Sequence, residues 1–401
     1  MSQIVVRPDR EKPIMNRHPW IFSGAIDAVR GDPQPGDIVD VVSKHGRFLA
    51  RGYFNARSQI QVRLLTWNDE PIDEAWWRRM LKRAVDSRAW YNQQPPAACR
   101  LINAENDYLP GLIVDRYAGT LVLQALTLHI DQHKHEIARW LVEICADIDL
   151  KITTIYERSD VDVRKKEGLS LEQGLLWGEE PSELIWFTKD VNPYWVDVRE
   201  GHKTGYYLDQ VGNHDYLSDL LSTHHQMGEG MRLLSLFSYT GSFGIDTMCH
   251  VTNVDASRPA LEIAEKNYTD ANFPADQVEF IQADVFDLVR DFADEKQHFD
   301  VIVCDPPKFA HNVGQVERAA RGYKDLNLNA FKLLNSGGYL MTFSCSGAID
   351  ADLFQKIVFG ALADSGRDAQ IVRYLSAGDD HPVALTFPEG AYLKGLLLRV
   401  F

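Results

Sequence analysis

The sequence contains no uninterrupted apolar run of about 18 residues, the length a membrane-spanning helix needs, so we expect no membrane partner. Its five cysteines are scattered without a CxxC pair, which indicates neither a disulfide framework nor a metal site. The N-terminus, MSQIVVRPDREK, lacks a long apolar core and predicts a cytoplasmic location. With 45% apolar residues and no Gly or Pro repeat, the chain is neither disordered nor fibrous.

Positive charge is in deficit overall but not everywhere. The net charge of −15 argues against unspecific coating of nucleic acid. Residues 1–68, however, hold ten Lys and Arg against six Asp and Glu, a local charge of +4, so the other 333 residues carry −19. Such asymmetry is a weak indication of a nucleic-acid-binding module, since basic residues are often merely solvated.

The length of the chain and the changes in residue pattern along it predict three domains, at 1–70, 71–188 and 189–401. Short runs punctuated by Gly and Pro predict a small β-barrel-like module in the first domain. Its strand candidates are Ile4–Val6, Asp37–Val42, Arg47–Arg51 and Ile60–Leu65. Helical spacing over Asp73–Tyr91 predicts a helix, and core packing is favoured over base stacking for Trp76 and Trp77. A break is predicted at residues 93–98.

The second domain has a mixed α+β pattern. Its strand candidates are Leu112–Val114, Leu121–Leu128 and Thr153–Tyr156, and Gln132–Ala146 is a helix candidate. The charged segment Arg158–Gly168 suggests no chemistry by composition alone, and a solvated loop is the favoured interpretation.

Strand-like and helical patterns alternate after about residue 190, which predicts an α/β fold with a doubly wound parallel sheet. The seven strand candidates are Met231–Phe237, Val251–Asp255, Val278–Asp284, Phe299–Asp305, Gly338–Ser344, Ala369–Leu375 and Leu393–Val400. The helix candidates are Arg258–Ala271, Val285–Ala293, Val316–Leu334 and Asp350–Ala363. The segment between the last two strands shows no helix of any length, so we expect a closing pair with an antiparallel member. This seven-stranded, Rossmann-like architecture is typical of S-adenosylmethionine-dependent methyltransferases, although the sheet alone does not fix the function.

Ligands of such sheets bind at the carboxyl ends of the strands, where this sequence places chemically useful residues. Phe237–Gly244 is a glycine-bearing turn whose Gly241 and Gly244 allow close backbone approach. Asp255 ends the second strand and suits a ribose, and Asp284 ends the third and suits an adenine edge. Each acid singly could instead be a helix N-cap.

The residues at the ends of the fourth and fifth strands indicate the type of reaction. The stiff Asp305-Pro-Pro turn directs Asp305 into the crevice, although Lys308 stands where related amine-gripping turns have an aromatic residue. Cys345 could attack carbon 6 of a pyrimidine and activate carbon 5 for methylation, with Lys308 or the cofactor sulfonium favouring its thiolate. A buried structural cysteine is the alternative for Cys345, and Cys304 is expected in the core.

With these residues the chain resembles the large-subunit ribosomal RNA cytosine-5 methyltransferase I family over nearly its whole length. The matching segments are His18–Gly24, Arg158–Gly168, Gly201–Gln210, Phe237–Gly244, Asp305–Phe309, Gly322–Asn327, Phe343–Gly347 and Pro388–Gly395. The resemblance implies an N-terminal PUA domain, an α+β middle domain, a C-terminal methyltransferase domain and the cofactor S-adenosylmethionine. It also implies that ribosomal RNA is the partner.

The resemblance assigns Cys345 as the nucleophile and Asp305 as the residue contacting the cytosine. The cofactor-binding residues it implies are Tyr207, Asp209, Gln210, Phe237, Ser238, Tyr239, Thr240, Gly241, Asp255, Asp284 and Asp305. The substrate-binding residues it implies are Pro306, Lys308, Arg17 and His18.

Two departures from the family pattern bear on the site. Val211 stands where arginine is usual, and 13 residues between Gly241 and Asp255 leave room for barely two helical turns. Methylation of a guanine or adenine in the same RNA, or RNA binding by a catalytically weak assembly factor, therefore stay open. A homodimer is also left open.

Overall fold

The chain forms two compact units in the computed structural model, which describes residues 1–92, 97–189, 192–223 and 230–401. The first unit contains Met1–Lys189, Val196–Leu208 and Asp380–Gly390, and the second contains Asp190–Trp195, Asp209–Asp379 and Ala391–Phe401. The chain thus re-enters the first unit twice after residue 189, whereas the three-domain prediction has consecutive segments. Within the described ranges, no helix is both long and apolar enough to cross a membrane.

The N-terminal part of the first unit is a six-stranded mixed sheet. Its elements are β1 (Gln3–Val6), α1 (Glu11–Met15), β2 (Trp20–Phe22), β3 (Ile26–Arg30), β4 (Ile38–Val42), β5 (Phe48–Phe54) and β6 (Ile60–Thr66). The strand order is β2-β6-β5-β4-β1-β3, and β1 and β4 pair in parallel. Alternating side chains of these strands, such as Val39 and Val41, fill one core. The sequence did not predict β2 and β3, because both are short and largely lack buried alternate residues.

A second sheet follows in the same unit. The elements of this region are α2 (Glu74–Asp86), α3 (Ala89–Asn92), β7 (Ala98–Asn103), β8 (Leu112–Tyr117), β9 (Thr120–Ala125), α4 (Leu128–Ala146), β10 (Thr154–Ser159), β11 (Glu172–Gly178) and β12 (Ile185–Lys189). Strand β13 (Asn192–Val196) follows in the chain, and all of it except Val196 belongs to the second unit. The strand order of the second sheet is β11-β10-β9-β8-β7. The expected strand Leu121–Leu128 was too long, because Leu128 already begins α4. Of the predicted break, residues 93–96 lie outside the described part of the chain.

Helix α2 shows why this region folds as predicted. The Asp73 side chain caps the helix by accepting a hydrogen bond from the Trp76 backbone N–H at 2.9 Å. Trp76 and Trp77 are buried in the core beside helix α4, which confirms the prediction that both pack inside the protein.

The expectation of a solvated loop at Arg158–Gly168 was wrong, because this segment holds buried charges in place. Arg164 is fully buried and donates a hydrogen bond to Asp131 at 2.9 Å. Glu167 accepts hydrogen bonds from Arg63 of β6 at 3.0 Å and from Asn55 at 2.9 Å. Buried charges require such partners, and composition alone does not reveal them.

The second unit contains the parallel sheet. Its elements are α5 (Val211–Thr223), β14 (Arg232–Leu236), β15 (His250–Asp255), α6 (Arg258–Asp270), β16 (Val278–Gln282), α7 (Val285–Asp294), β17 (Phe299–Cys304), α8 (Val316–Leu333), β18 (Leu334–Ser344), α9 (Ala351–Ser365), β19 (Ala369–Ser376) and β20 (Lys394–Val400). The order is β16-β15-β14-β17-β18-β20-β19, and β20 is antiparallel to both of its neighbours. The seven strands, the four predicted helices and the antiparallel closing pair are confirmed. Helix α5 was not predicted.

We expect the substitution Glu167→Gln to destabilise the protein by about 3 kcal/mol, because it leaves the buried Arg63 with one carboxylate partner fewer. The urea midpoint of unfolding, followed by circular dichroism, measures the loss. Glu183→Gln, the same change at an exposed position, is the control and should shift the free energy of unfolding by no more than about 0.5 kcal/mol. Equal midpoints for the two variants would contradict the structural role of Glu167.

Candidate active site

The polar residues predicted at the strand ends of the second unit lie at one edge of its sheet. Leu236, at the end of β14, is in register with Val254 on one side and with Cys304 on the other. Cys304 is in turn in register with Thr342 of β18. Because these strands are parallel, the loops that follow them share the carboxyl edge of the sheet, where ligands bind in open α/β folds.

The loop after β14 has an unusual backbone. Phe237, Tyr239 and Gly241 all have left-handed conformations, with φ of 59°, 48° and 81°. Two of these residues are not glycine, and such strain concentrates at binding sites. The loop is fixed by a hydrogen bond from the Ser238 N–H to the Val254 carbonyl at 2.9 Å.

The glycines of this loop are required by packing on helix α6. A Cβ atom on Gly241 would lie 2.8 Å from the ring of Tyr268, and one on Gly244 would lie 2.4 Å from its hydroxyl. The Tyr268 hydroxyl also donates a hydrogen bond to the Gly241 carbonyl at 3.1 Å, and Asn267 donates one to the Thr240 carbonyl at 3.0 Å. Helix α6 therefore sets the shape of the loop, which the sequence-based argument did not anticipate.

Asp255 ends β15 and organises the same loop. Its carboxylate accepts hydrogen bonds from the backbone N–H groups of Tyr239 at 2.9 Å and Ser257 at 2.8 Å. Residues 242–249 form consecutive turns, so the two helical turns expected before Asp255 are absent. The missing helix does not displace Asp255, which stands beside the loop as predicted.

Buried polar atoms test whether these residues suit a cofactor. Among the described residues, the Ser238 hydroxyl, the Thr240 hydroxyl and the Gln210 amide nitrogen are buried without a hydrogen-bond partner. Buried polar groups ordinarily have partners, so unpaired ones beside a strained loop fit a polar ligand. The side-chain oxygen of Gln210 accepts a hydrogen bond from the Asn213 side-chain amide at 2.6 Å. The Asp209 carboxylate accepts one from the Tyr392 hydroxyl at 2.5 Å.

Two further acids follow strands β16 and β17, which β15 and β14 separate in the sheet. Asp284 is exposed and caps α7 by accepting hydrogen bonds from the Phe286 and Asp287 N–H groups at 2.8 and 3.3 Å. The cap alternative therefore applies to Asp284, while a role toward adenine stays a prediction. Asp305 follows β17 and is half-buried, whereas Cys304 before it is fully buried, as expected of a core residue.

Cys345 lies just beyond β18 between two fully buried serines. Ser344 donates to the Tyr323 hydroxyl at 3.0 Å, and Ser346 lies 3.1 Å from the same hydroxyl. The Ser346 hydroxyl also accepts a hydrogen bond from the Ala310 N–H at 3.1 Å, which ties the cysteine loop to the segment after Asp305. Cys345 itself is partly exposed, whereas the other four cysteines are buried.

Sequence reasoning missed two residues of this site, Tyr323 and Lys394. The Lys394 ammonium donates a hydrogen bond to the Ser346 carbonyl at 2.7 Å, and burial lowers the pKa of Lys394 to about 8. Both residues lie within the family segments Gly322–Asn327 and Pro388–Gly395, which were the available signal. Of the expected substrate contacts in this unit, Pro306 is buried and Lys308 is exposed.

The remaining predicted residues belong to the first unit. Tyr207 packs against Lys203, whose ammonium lies 4.3 Å from the ring centre. Arg17 is exposed in a left-handed conformation, with φ of 64°. His18 Nε2 lies 3.3 Å from Glu389. Their roles toward cofactor and RNA stay predictions.

One cluster in the first unit has metal-ligand chemistry. The carboxylates of Asp131, Glu157 and Glu172 lie within 4.8 Å of one another. The Lys134 ammonium contacts all three, at 3.2, 2.9 and 2.5 Å. Although burial disfavours its charge, these hydrogen bonds raise the pKa of Lys134 above its ordinary value. A lysine therefore already supplies the positive charge at this cluster.

Comparisons with known proteins agree with the geometry. A PUA-like domain profile matches residues 4–67, and a methyltransferase domain profile matches residues 228–372. A ribosomal RNA large subunit methyltransferase I from Shewanella amazonensis is 45% identical over 405 residues, covering 100% of this chain and 99% of that protein. The protein of that name from Escherichia coli O157:H7 is 42% identical, with 99% of each chain covered.

Solved structures show the same fold. A protein from Streptococcus mutans described as a SAM-dependent methyltransferase has a TM-score of 0.81 at 19% identity. A structure described as a methyltransferase complexed with SAH has a TM-score of 0.83 at 18% identity. Each comparison covers both chains completely.

We expect Asp255→Asn to weaken S-adenosylmethionine binding about tenfold or more, since an amide cannot accept from both backbone N–H groups that Asp255 now holds. Isothermal titration calorimetry measures the affinity. Asp276→Asn, at an exposed position, is the matched control and should bind as the wild type does. Unchanged affinity in Asp255→Asn would remove this carboxylate from the cofactor site.

Proposed function

The chain belongs to the ribosomal RNA large subunit methyltransferase I family, and we propose that it methylates carbon 5 of one cytosine in large-subunit ribosomal RNA. Relatives that match along the full length are named ribosomal RNA large subunit methyltransferase I. The choice of cytosine and of carbon 5 depends on the residues at the edge of the sheet.

The observation that carries the proposal is the bonded pair of loops after β17 and β18. The Ser346 hydroxyl accepts from Ala310, five residues beyond Asp305, and interacts with Tyr323 of α8. These contacts tie the segment that follows the Asp305-Pro-Pro turn to the loop that holds Cys345, beyond the ends of the paired strands β17 and β18, and so support the proposal. Cys345 stays partly exposed while its neighbours Ser344 and Ser346 are buried, so its thiol is presented rather than packed.

The proposed reaction uses a covalent adduct. The Cys345 thiolate adds to carbon 6 of the cytosine, and the displaced electron pair makes carbon 5 nucleophilic. Asp305 hydrogen-bonds ring nitrogen 3 and stabilises the adduct, after which carbon 5 becomes methylated. Loss of the carbon 5 proton and expulsion of the Cys345 thiolate restore the aromatic ring and free the nucleophile.

The residues around Phe237–Gly241 suit the methyl donor. S-adenosylmethionine supplies the methyl group as an electrophile on a positively charged sulfur. The buried hydroxyls of Ser238 and Thr240 and the amide of Gln210 would hydrogen-bond it, and Asp255 would hold its ribose while fixing the loop. Tyr207, Asp209 and Asp284 are further proposed contacts.

The target base must leave its stack before Cys345 can reach carbon 6, because the face of a stacked base is covered. The PUA-like segment, residues 4–67, is the proposed RNA-docking module. Not all of its positive charge is available, since Arg51 and Arg63 are buried in ion pairs with acids. Exposed Arg17, with His18 next to it, is proposed to contact RNA.

RNA that contains 5-fluorocytosine tests the adduct. The fluorine on carbon 5 cannot leave as a proton does, so the enzyme should remain bound covalently to the RNA after methyl transfer. We expect a complex that survives a denaturing gel for the wild type and for Cys304→Ala, and none for Cys345→Ala. Calorimetry should show that Cys345→Ala still binds S-adenosylmethionine with nearly unchanged affinity.

The other outcomes separate the alternatives. Methylated RNA without a trapped complex would contradict the cysteine route and favour methylation of a guanine or adenine. Absence of both methylation and cofactor binding in the wild type would instead indicate an RNA-binding assembly factor.

A further inference from the structure

Lys394 is the first residue of β20, directly opposite Ser344 in the antiparallel pair with β18. Its side chain reaches past the end of β18, and the ammonium donates to the Ser346 carbonyl at 2.7 Å. The ammonium is thus bound to the residue that follows Cys345 and is more than half buried. This places a cation beside the proposed nucleophile.

Three charged or titratable side chains near Lys394 affect its pKa. Burial lowers the pKa of Lys394, while Cys345 and Asp350 raise it and Lys308 lowers it. The charge of Cys345 also reaches Tyr323, whose phenol pKa is raised by burial first and by Cys345 in addition. Asp350 is exposed and caps helix α9, accepting a hydrogen bond from the Leu353 N–H at 2.8 Å. Cys345 is therefore the partly buried acidic group next to the contact between Lys394 and Ser346, whereas Asp350 is exposed to solvent.

Coupling between two titrating groups is reciprocal. If the Cys345 thiolate favours the protonated form of Lys394, the protonated Lys394 favours the thiolate to the same extent. Such an interaction is stronger between partly buried groups than between exposed ones, because less solvent screens the charges. Lys308 is exposed to solvent, so its charge is more strongly screened.

We propose that the ammonium group of Lys394 stabilises the thiolate of Cys345 and so keeps the nucleophile reactive at neutral pH. Lys394 is a positioning residue in this assignment, because it acts through Cys345 rather than on the base. Its relevance to methylation rests on the proposed function, but its effect on the thiol does not. The effect belongs to the protein without RNA or cofactor.

Alkylation by iodoacetamide measures the thiolate directly, since the thiolate sulfur displaces iodide and forms a thioether. The other four cysteines are buried, so brief alkylation of the folded full-length protein should modify Cys345, which mass spectrometry of the peptides identifies. The rate, followed from pH 5 to 10, should reach half its plateau clearly below pH 8.5, the region of an ordinary thiol. A wild-type midpoint at or above about 8.5 overturns the proposal without any variant.

The second part of the experiment measures the same alkylation profile after substitution of Lys394. In Lys394→Met the midpoint should rise by about one pH unit or more, so that alkylation at pH 7 is about tenfold slower. Lys394→Arg keeps a cation and should retain most of the wild-type rate. The control is Lys356→Met, which removes an exposed lysine of α9 and should leave the profile unchanged.

The outcomes distinguish this inference from the proposed function. If wild type and folded Lys394→Met show the same dependence of alkylation rate on pH, the proposed role of Lys394 is wrong. The trapping experiment with 5-fluorocytosine would still test the proposed function independently. Conversely, a shifted profile without any trapped RNA supports the Lys394–Cys345 pair and contradicts the methylation route. If Lys394→Met does not fold, the wild-type midpoint and the Lys394→Arg rate still decide.

Discussion

The hydroxyl group of Tyr323 joins helix α8 to both sides of the loop that holds Cys345. It is fully buried and meets the hydroxyls of Ser344 and Ser346, on either side of Cys345. A buried hydroxyl must find partners, and two serines flanking one cysteine satisfy it only if the loop curls over α8. Cys345 between them is partly exposed, while both serines are fully buried.

Charge in the first unit serves the fold as much as any ligand. Arg63 of the PUA-like segment is bound to Glu105 and Glu167, both of which lie beyond residue 68. The apparent +4 of the N-terminal segment is therefore partly neutralised by acids from later in the chain. Net charge along a sequence predicts a binding surface only after such internal pairs are subtracted, because a buried ion pair presents no field to a phosphate.

The central strands of the second unit could be predicted because buried parallel strands are continuous apolar runs, as at Phe299–Cys304. The strands at Trp20–Phe22 and Ile26–Arg30 could not, because their side chains are largely exposed and follow no period. The role of Arg158–Gly168 was also hidden, since the burial of Arg164 depends on partners distant in sequence such as Asp131. The glycines of the loop after β14 were recognised, but their packing against helix α6 was not, because Tyr268 follows about 25 residues later.

The antiparallel strand β20 explains why Lys394 escaped notice. In a parallel sheet ligand-binding residues come just after each strand, and that rule selected Asp255, Asp305 and Cys345 as candidates. A strand that runs the other way brings its beginning, not its end, to the same edge. Lys394 opens β20 and Tyr392 stands just before it, so both reach the edge, where Tyr392 binds Asp209 and Lys394 binds Ser346. An antiparallel strand therefore contributes the residues at its beginning to the candidate site, in addition to those that follow the parallel strands. The direction of strand pairing decides which end of a predicted strand should be searched for site residues.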